Sequence, residues 1–180
     1  IMRLVCHPSM PSPQAESIEV SFARLGDGRI WVRYHVEILL DALILPDEAE
    51  SLRTDELWKT TCFEVFIRLI DDKSYIEFNA SPSSQWAAYR FDDYRAGMAE
   101  LPIETPPEIG LDASESHFAL EVTYDLPPEC AGQPLELGLS AVIEESDGTK
   151  SYWALAHSPG QPDFHHGDCF ALQLAAPDDV

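Results

Sequence analysis

Three polar residues stand where burial is expected. Glu64 lies in a run of β-branched and aromatic residues at 62–70, and Glu77 and Asn79 lie in a similar run at 75–79. A carboxylate or amide held among such neighbours is costly unless it is paired or meets a ligand. Trp58 precedes Glu64 by six residues, and Arg90 and Trp153 follow in other apolar runs. Aromatic platforms beside carboxylate, amide and guanidinium groups suit a molecule with flat apolar faces edged by hydroxyls, which is a saccharide. Trp58, Glu64, Asn79, Arg90 and Trp153 are residues of these types and candidates for such contacts, a choice that rests on the family resemblance given below, with core packing as the competing role for each tryptophan.

A second group gathers near the end of the chain. His157, Asp163, His165, His166 and Asp168 crowd into a loop rich in Pro and Gly, where side chains can converge on a metal ion. Their spacing matches no zinc signature, and no metal or other cofactor is expected as the main reading. Met98 and His157 are of the residue types that ligate haem iron, and are the pair to consider for the haem alternative that the resemblance below implies. The acids Glu64 and Glu77 could in principle act on a glycosidic bond. Nucleophile elbow, phosphate loop, His-Glu-x-x-His and dinucleotide motifs are all missing from the sequence, so a non-catalytic role is favoured.

These residues need a scaffold, and the pattern around them is that of strands. Segments 62–70, 75–79 and 85–91 are separated by the turn residues of 71–74 and 81–84, which predicts a β-meander. Segments 17–24 and 29–37 alternate on either side of Gly26-Asp27-Gly28 and predict an antiparallel hairpin. In its second strand Ile30, Val32, Tyr34 and Val36 share one face, while Trp31, Arg33, His35 and Glu37 share the other. Residues 39–57 read as loop or one short helix, and the prolines of 101–110 suggest an extended edge or loop. Further strands are expected at 117–126, 135–144, 151–155 and 167–174, with residues 1–15 as an irregular lead-in. About ten short strands without helical periodicity predict an all-β, antiparallel β-sandwich of two sheets in one domain spanning residues 1–180.

Charge narrows the partners. With 32 acidic against 11 basic residues the formal net charge is −21, which disfavours nucleic acid and anionic membrane surfaces. No stretch has the roughly 20 apolar residues of a membrane span, and residues 1–15 lack the pattern of a signal peptide, so a cytoplasmic, monomeric or weakly dimeric protein is expected. Cys6, Cys62, Cys130 and Cys169 are scattered without a CxxC pair and read as free thiols, with Cys62 and Cys169 each placed before a Phe inside a strand.

Leu57-Trp58, the segment 62–67, the segment 75–79 with Ser81-Pro82, and Trp86 resemble the core of the DOMON-like sandwiches, which include the family 9 carbohydrate-binding modules. Segments 89–91, 94–98, 152–157 and 162–166 resemble a bacterial branch of that superfamily. The resemblance implies a ligand site for sugar or haem at an end or face of the sandwich. It implies that Trp58 is a platform and Glu64 a carboxylate that holds hydroxyls, with Trp153 as the facing platform.

Overall fold

The structure, a computed structural model, describes residues 1–177. Its strands in chain order are β1 (Met2–Arg3), β2 (Val5–Cys6), β3 (Ser17–Arg24), β4 (Arg29–Glu37), β5 (Cys62–Leu69), β6 (Tyr75–Ala80) and β7 (Trp86–Phe91). They continue with β8 (Ala99–Glu100), β9 (Glu108–Ala113), β10 (His117–Asp125), β11 (Leu135–Glu144), β12 (Lys150–Ala154) and β13 (Leu172–Leu174). One helical turn, α1 (Pro128–Ala131), lies between β10 and β11. The strands form two antiparallel sheets, one of five strands in the order β1-β3-β4-β10-β9 and one of eight. The larger runs β2-β12-β11-β5-β6-β7-β8, with β13 also paired to β11.

Strand alternation explains how the sheets face each other. In β4, Ile30, Val32, Tyr34 and Val36 are fully buried while the intervening residues are partly exposed, as the alternation predicts. These side chains meet Phe63, Val65 and Ile67 of β5 and the odd-numbered residues Leu135 to Ile143 of β11 in one core. The Tyr34 hydroxyl crosses that core and donates to the Glu64 carbonyl oxygen at 2.6 Å.

The larger sheet is buried on its other face as well. Cys62, Phe66, Tyr75, Ala87, Tyr89, Phe91, Val142 and Ala154 form a second apolar layer there, covered by Leu57, Phe164 and Phe170. This is why β5 and β6 read as continuous apolar runs rather than alternating ones.

The covering segment corrects the predicted last strand. Residues 167–169 form a 3₁₀ turn, capped by the Nδ1 of His166, which accepts from the Asp168 amide at 3.1 Å; only β13 is extended. Cys169 therefore sits in a turn, not a strand. A side chain at Gly138 of β11 would come within 3.0 Å of the Cys169 carbonyl oxygen, so the missing Cβ is what lets this turn lie on the sheet.

At the start of the chain β1 pairs with β3 in the small sheet and β2 with β12 in the large one, with Leu4 buried between them. All four cysteines are free thiols; Cys62, Cys130 and Cys169 are buried and Cys6 is partly exposed.

Candidate functional site

The second face of the large sheet opens into a cavity of about 940 Å³. Its floor comes from strand parity. Glu64 on β5, Glu77 on β6 and Tyr89 on β7 all point to this face, because Phe66 pairs with Glu77 and Glu77 with Tyr89 across the ladder. Glu64 is 3% and Glu77 5% exposed, and both line the cavity. Ser140, opposite Glu64 on β11, donates to its Oε2 at 3.4 Å.

Burial dominates the electrostatics of this pair. Desolvation, reinforced by the neighbouring Glu77 charge, raises the Glu64 carboxyl well above the usual carboxylate range. Desolvation also pushes Glu77 up to about 7, against the amide of Asn79, the adjoining Glu64 carboxyl and the Arg95 charge, which favour its ionised form. The two carboxyls act on each other, so the pair titrates as a unit, with Glu64 the more strongly raised. Burial thus favours the acid form of Glu64, where the family resemblance implies a carboxylate. The pair sits side by side on one wall, not across a cleft as two glycosidase carboxyls do.

His165 closes one side. The Tyr75 hydroxyl bonds its Nδ1 at 2.8 Å, and its Nε2 lies 3.8 Å from Glu77. Burial, then the nearby Arg95 charge, drop this imidazole to about 4, so at neutral pH it is uncharged. With Tyr75 donating to Nδ1, the ring proton lies on Nε2 and faces Glu77.

Two loops form the rim. The β7–β8 loop carries Arg95, whose Nη2 and Nε donate to Asp163 Oδ1 at 2.7 and 3.3 Å, while the Tyr94 hydroxyl donates to the other Asp163 oxygen. The Arg95 amide donates to the Tyr75 hydroxyl at 3.2 Å, tying the loop to the floor. On the opposite rim, residues 57–59 form a 3₁₀ turn that buries Leu57 and leaves Trp58 50% exposed over the cavity. Glu56 (φ 62°) and Arg95 (φ 50°) both line the cavity in left-handed backbone. Such strain in non-glycine residues collects where structure serves a site.

Of the residues predicted from sequence, Trp58 and Glu64 come together in this cavity. Asn79 shares the face and lies opposite Glu64, but it is fully buried and its Oδ1 has no partner. Arg90 points to the other face, where it pairs with Glu129 of α1. Trp153 is 5% exposed in the core between the sheets, its Nε1 donating to Ser151 at 2.8 Å. The cavity instead receives their chain neighbours Tyr89 and Tyr152. Both differences have one cause: a shift of one residue moves a side chain to the opposite face, and a doubly buried sheet gives no alternation to show it.

The histidine loop does not gather a metal. Among the described residues no three His, Cys, Asp or Glu side chains converge as a metal site. Asp163 holds Arg95 and Tyr94, His165 holds Tyr75, and His166 caps the turn at Asp168. His157 bonds the Val5 carbonyl oxygen at 2.6 Å at the N-terminal strand, while Met98 lines the cavity, so the expected haem pair is not assembled around one space. Arg95, Tyr89, Tyr152 and Gln161 were not singled out as site residues by sequence reasoning. For Arg95 the pair Tyr94-Arg95 before Gly97 was the available signal, two bulky residues in a turn with no strand to serve.

The fold is a β-sandwich of the type seen in family 9 carbohydrate-binding modules. No family model matches the sequence, and no curated protein matches it. Solved structures do. A candidate carbohydrate-binding protein from Bacteroides uniformis superimposes with a TM-score of 0.67 at 16% identity, covering 97% of this chain and 84% of that one. A family 9 carbohydrate-binding module from Caldicellulosiruptor kristjanssonii, in complex with glucose, gives a TM-score of 0.52 at 10% identity, covering 91% of this chain and 80% of that one. At such identities the likeness is one of fold.

Proposed function

We propose that this protein is a non-catalytic carbohydrate-binding module that holds a small saccharide in the cavity on the outer face of its eight-stranded sheet. The observation that carries the reading is the half-exposed Trp58 ring on the same cavity as two carboxyls that are each more than nine-tenths buried. A pyranose ring can stack on the indole while its hydroxyls reach Glu64, Glu77 and Gln161. A protonated Glu64 can donate a hydrogen bond as well as accept one, which suits hydroxyls that do both. The fold relative that is known with glucose makes a saccharide the natural class to test.

Calorimetric titration with glucose and a panel of neutral and charged mono- and disaccharides tests this. Trp58→Ala should weaken binding about five- to thirtyfold, since stacking and its buried area contribute on the order of 1–2 kcal/mol, and should leave stability nearly unchanged. Trp153→Ala should do the opposite and cost about 3–5 kcal/mol of stability, because its ring fills the core. Saccharide binding that survives Trp58→Ala intact, or no saccharide bound by the wild type, would overturn the proposal.

A further inference from the structure

The cavity has a one-sided charge. Five acidic side chains line it, Asp55, Glu56, Glu64, Glu77 and Glu100, against one arginine, Arg95. That arginine is committed, with two of its nitrogens on Asp163. Lys59, just outside, pairs with Glu56 at 2.7 Å and lies 5.9 Å from the Trp58 ring centroid. Asp55 accepts from the Tyr89 hydroxyl. This leaves the floor without a cation: among the described residues neither Glu64 nor Glu77 forms an ion pair with lysine or arginine, and the contact of Glu77 with His165 spans 3.8 Å to a neutral ring.

Of the two, Glu77 is the carboxyl nearer to ionisation, and a carboxylate that is more than nine-tenths buried, open to a cavity and unpaired with lysine or arginine attracts positive charge. The acids are not a metal cage, because no three of them converge on one point. They are spread from floor to rim around a space that also offers an aromatic face, which fits an organic cation with a ring attached. Anionic sugars face repulsion from the same wall, and a neutral sugar leaves its field unused.

Resting on the carbohydrate reading above, we propose that the preferred ligand is a saccharide with a free ammonium group, an amino sugar of the glucosamine kind, whose ammonium sits on the Glu77 carboxylate and whose ring lies toward Trp58. Glu77, buried among Glu64, Tyr89 and the neutral His165, has only neutral groups beside its carboxylate, and an ammonium supplies the opposite charge that these do not.

Titration of the full chain at pH 7 with glucosamine, N-acetylglucosamine, glucose and glucuronate, at low and at physiological salt, tests this, with benzylammonium as a cation that is not a sugar. Glucosamine should bind about five- to tenfold more tightly than glucose, since a charge-assisted hydrogen bond is about twice as strong as a neutral one. N-acetylglucosamine, which keeps the ring and removes the charge, should lose that advantage, glucuronate should bind weakest, and added salt should narrow the differences. Glu77→Gln should reduce the preference for glucosamine over glucose; a Glu77→Gln protein that folds and retains the full preference would overturn the assignment to Glu77. Glucose bound as tightly as glucosamine would overturn the ammonium inference and leave the carbohydrate reading standing. Benzylammonium bound without any sugar would overturn the carbohydrate reading and retain the selection for ammonium, and binding of none of the five would overturn both.

Discussion

Glu77 lies between an apolar layer and an open cavity, and its protonation answers to both. Facing it are Glu64 from β5, Tyr89 from β7, Asn79 and Tyr75 from its own strand, and His165 and Arg95 from the two loops. Burial raises its pKa from 4.5 to about 7, so the folded state prefers the acid and the unfolded chain the carboxylate. Its contribution to stability is therefore full below about 4.5 and is lost as pH rises through about 7. Glu64 is raised in the same direction by its own burial and by the neighbouring Glu77 charge, and His165, depressed to about 4, remains neutral through most of that window. Glutamine copies the protonated acid without its titration. Glu77→Gln should match the wild type in urea unfolding at pH 5 and exceed it at pH 8 by on the order of 2–3 kcal/mol. Equal destabilisation at both values would mean that the carboxyl's role is hydrogen bonding alone. The burial of Glu64 and Glu77 was legible in the sequence, because a carboxylate in a β-branched run is conspicuous. Their protonation was not legible, since it depends on which cations the fold withholds.

The elements that frame the cavity differ in how openly the sequence declares them. Alternation and turn residues identified the first hairpin, the meander and β11, and these carry the core and the floor. The rim was harder, because it is set by loop contacts that have no period: Tyr94 and Arg95 on Asp163, and a 3₁₀ turn at Trp58. Trp153 and Arg90 mark the same limit, since on a sheet covered on both faces neighbours such as Tyr152 and Trp153 look equally fit for either side. The β7–β8 loop also rests on one conformational requirement. Gly97 has φ 67°, and a Cβ there would lie 2.1 Å from Asp92 Oδ2 and 2.8 Å from its Cβ, so rotating the carboxylate away does not clear it. Gly97→Ala should cost about 1–3 kcal/mol and shift Arg95 and Met98 from the rim. Thermal unfolding measures the first and saccharide titration the second; a variant that keeps both wild-type stability and wild-type affinity would show that the loop does not depend on this glycine.

At the scale of the whole molecule the charge of −21 sets a repulsion that the fold only partly offsets. The ion pairs that could offset it lie mostly at the surface, as with Arg3–Glu19, Lys59–Glu56 and Arg95–Asp163, and exposed pairs are each worth about 0–1 kcal/mol. Arg68–Glu136, at 2.5 Å and largely shielded, is a stronger exception, and the Arg68 guanidinium also lies 4.4 Å from the Phe170 ring centroid over the covering turn. With acids outnumbering bases about three to one, most carboxylates see more like charge than opposite charge. Salt screens repulsion and attraction alike, with a Debye length that falls from about 30 Å at 0.01 M to about 10 Å at 0.1 M, so the majority term decides the sign. Raising sodium chloride from 10 to 300 mM should therefore increase the unfolding temperature by on the order of several degrees. An equal osmolality of glycerol separates screening from general solvent exclusion. A fall in unfolding temperature with salt would mean that the ion pairs, Arg68–Glu136 foremost, outweigh the net charge, and neutralising Arg68 should then reverse the trend.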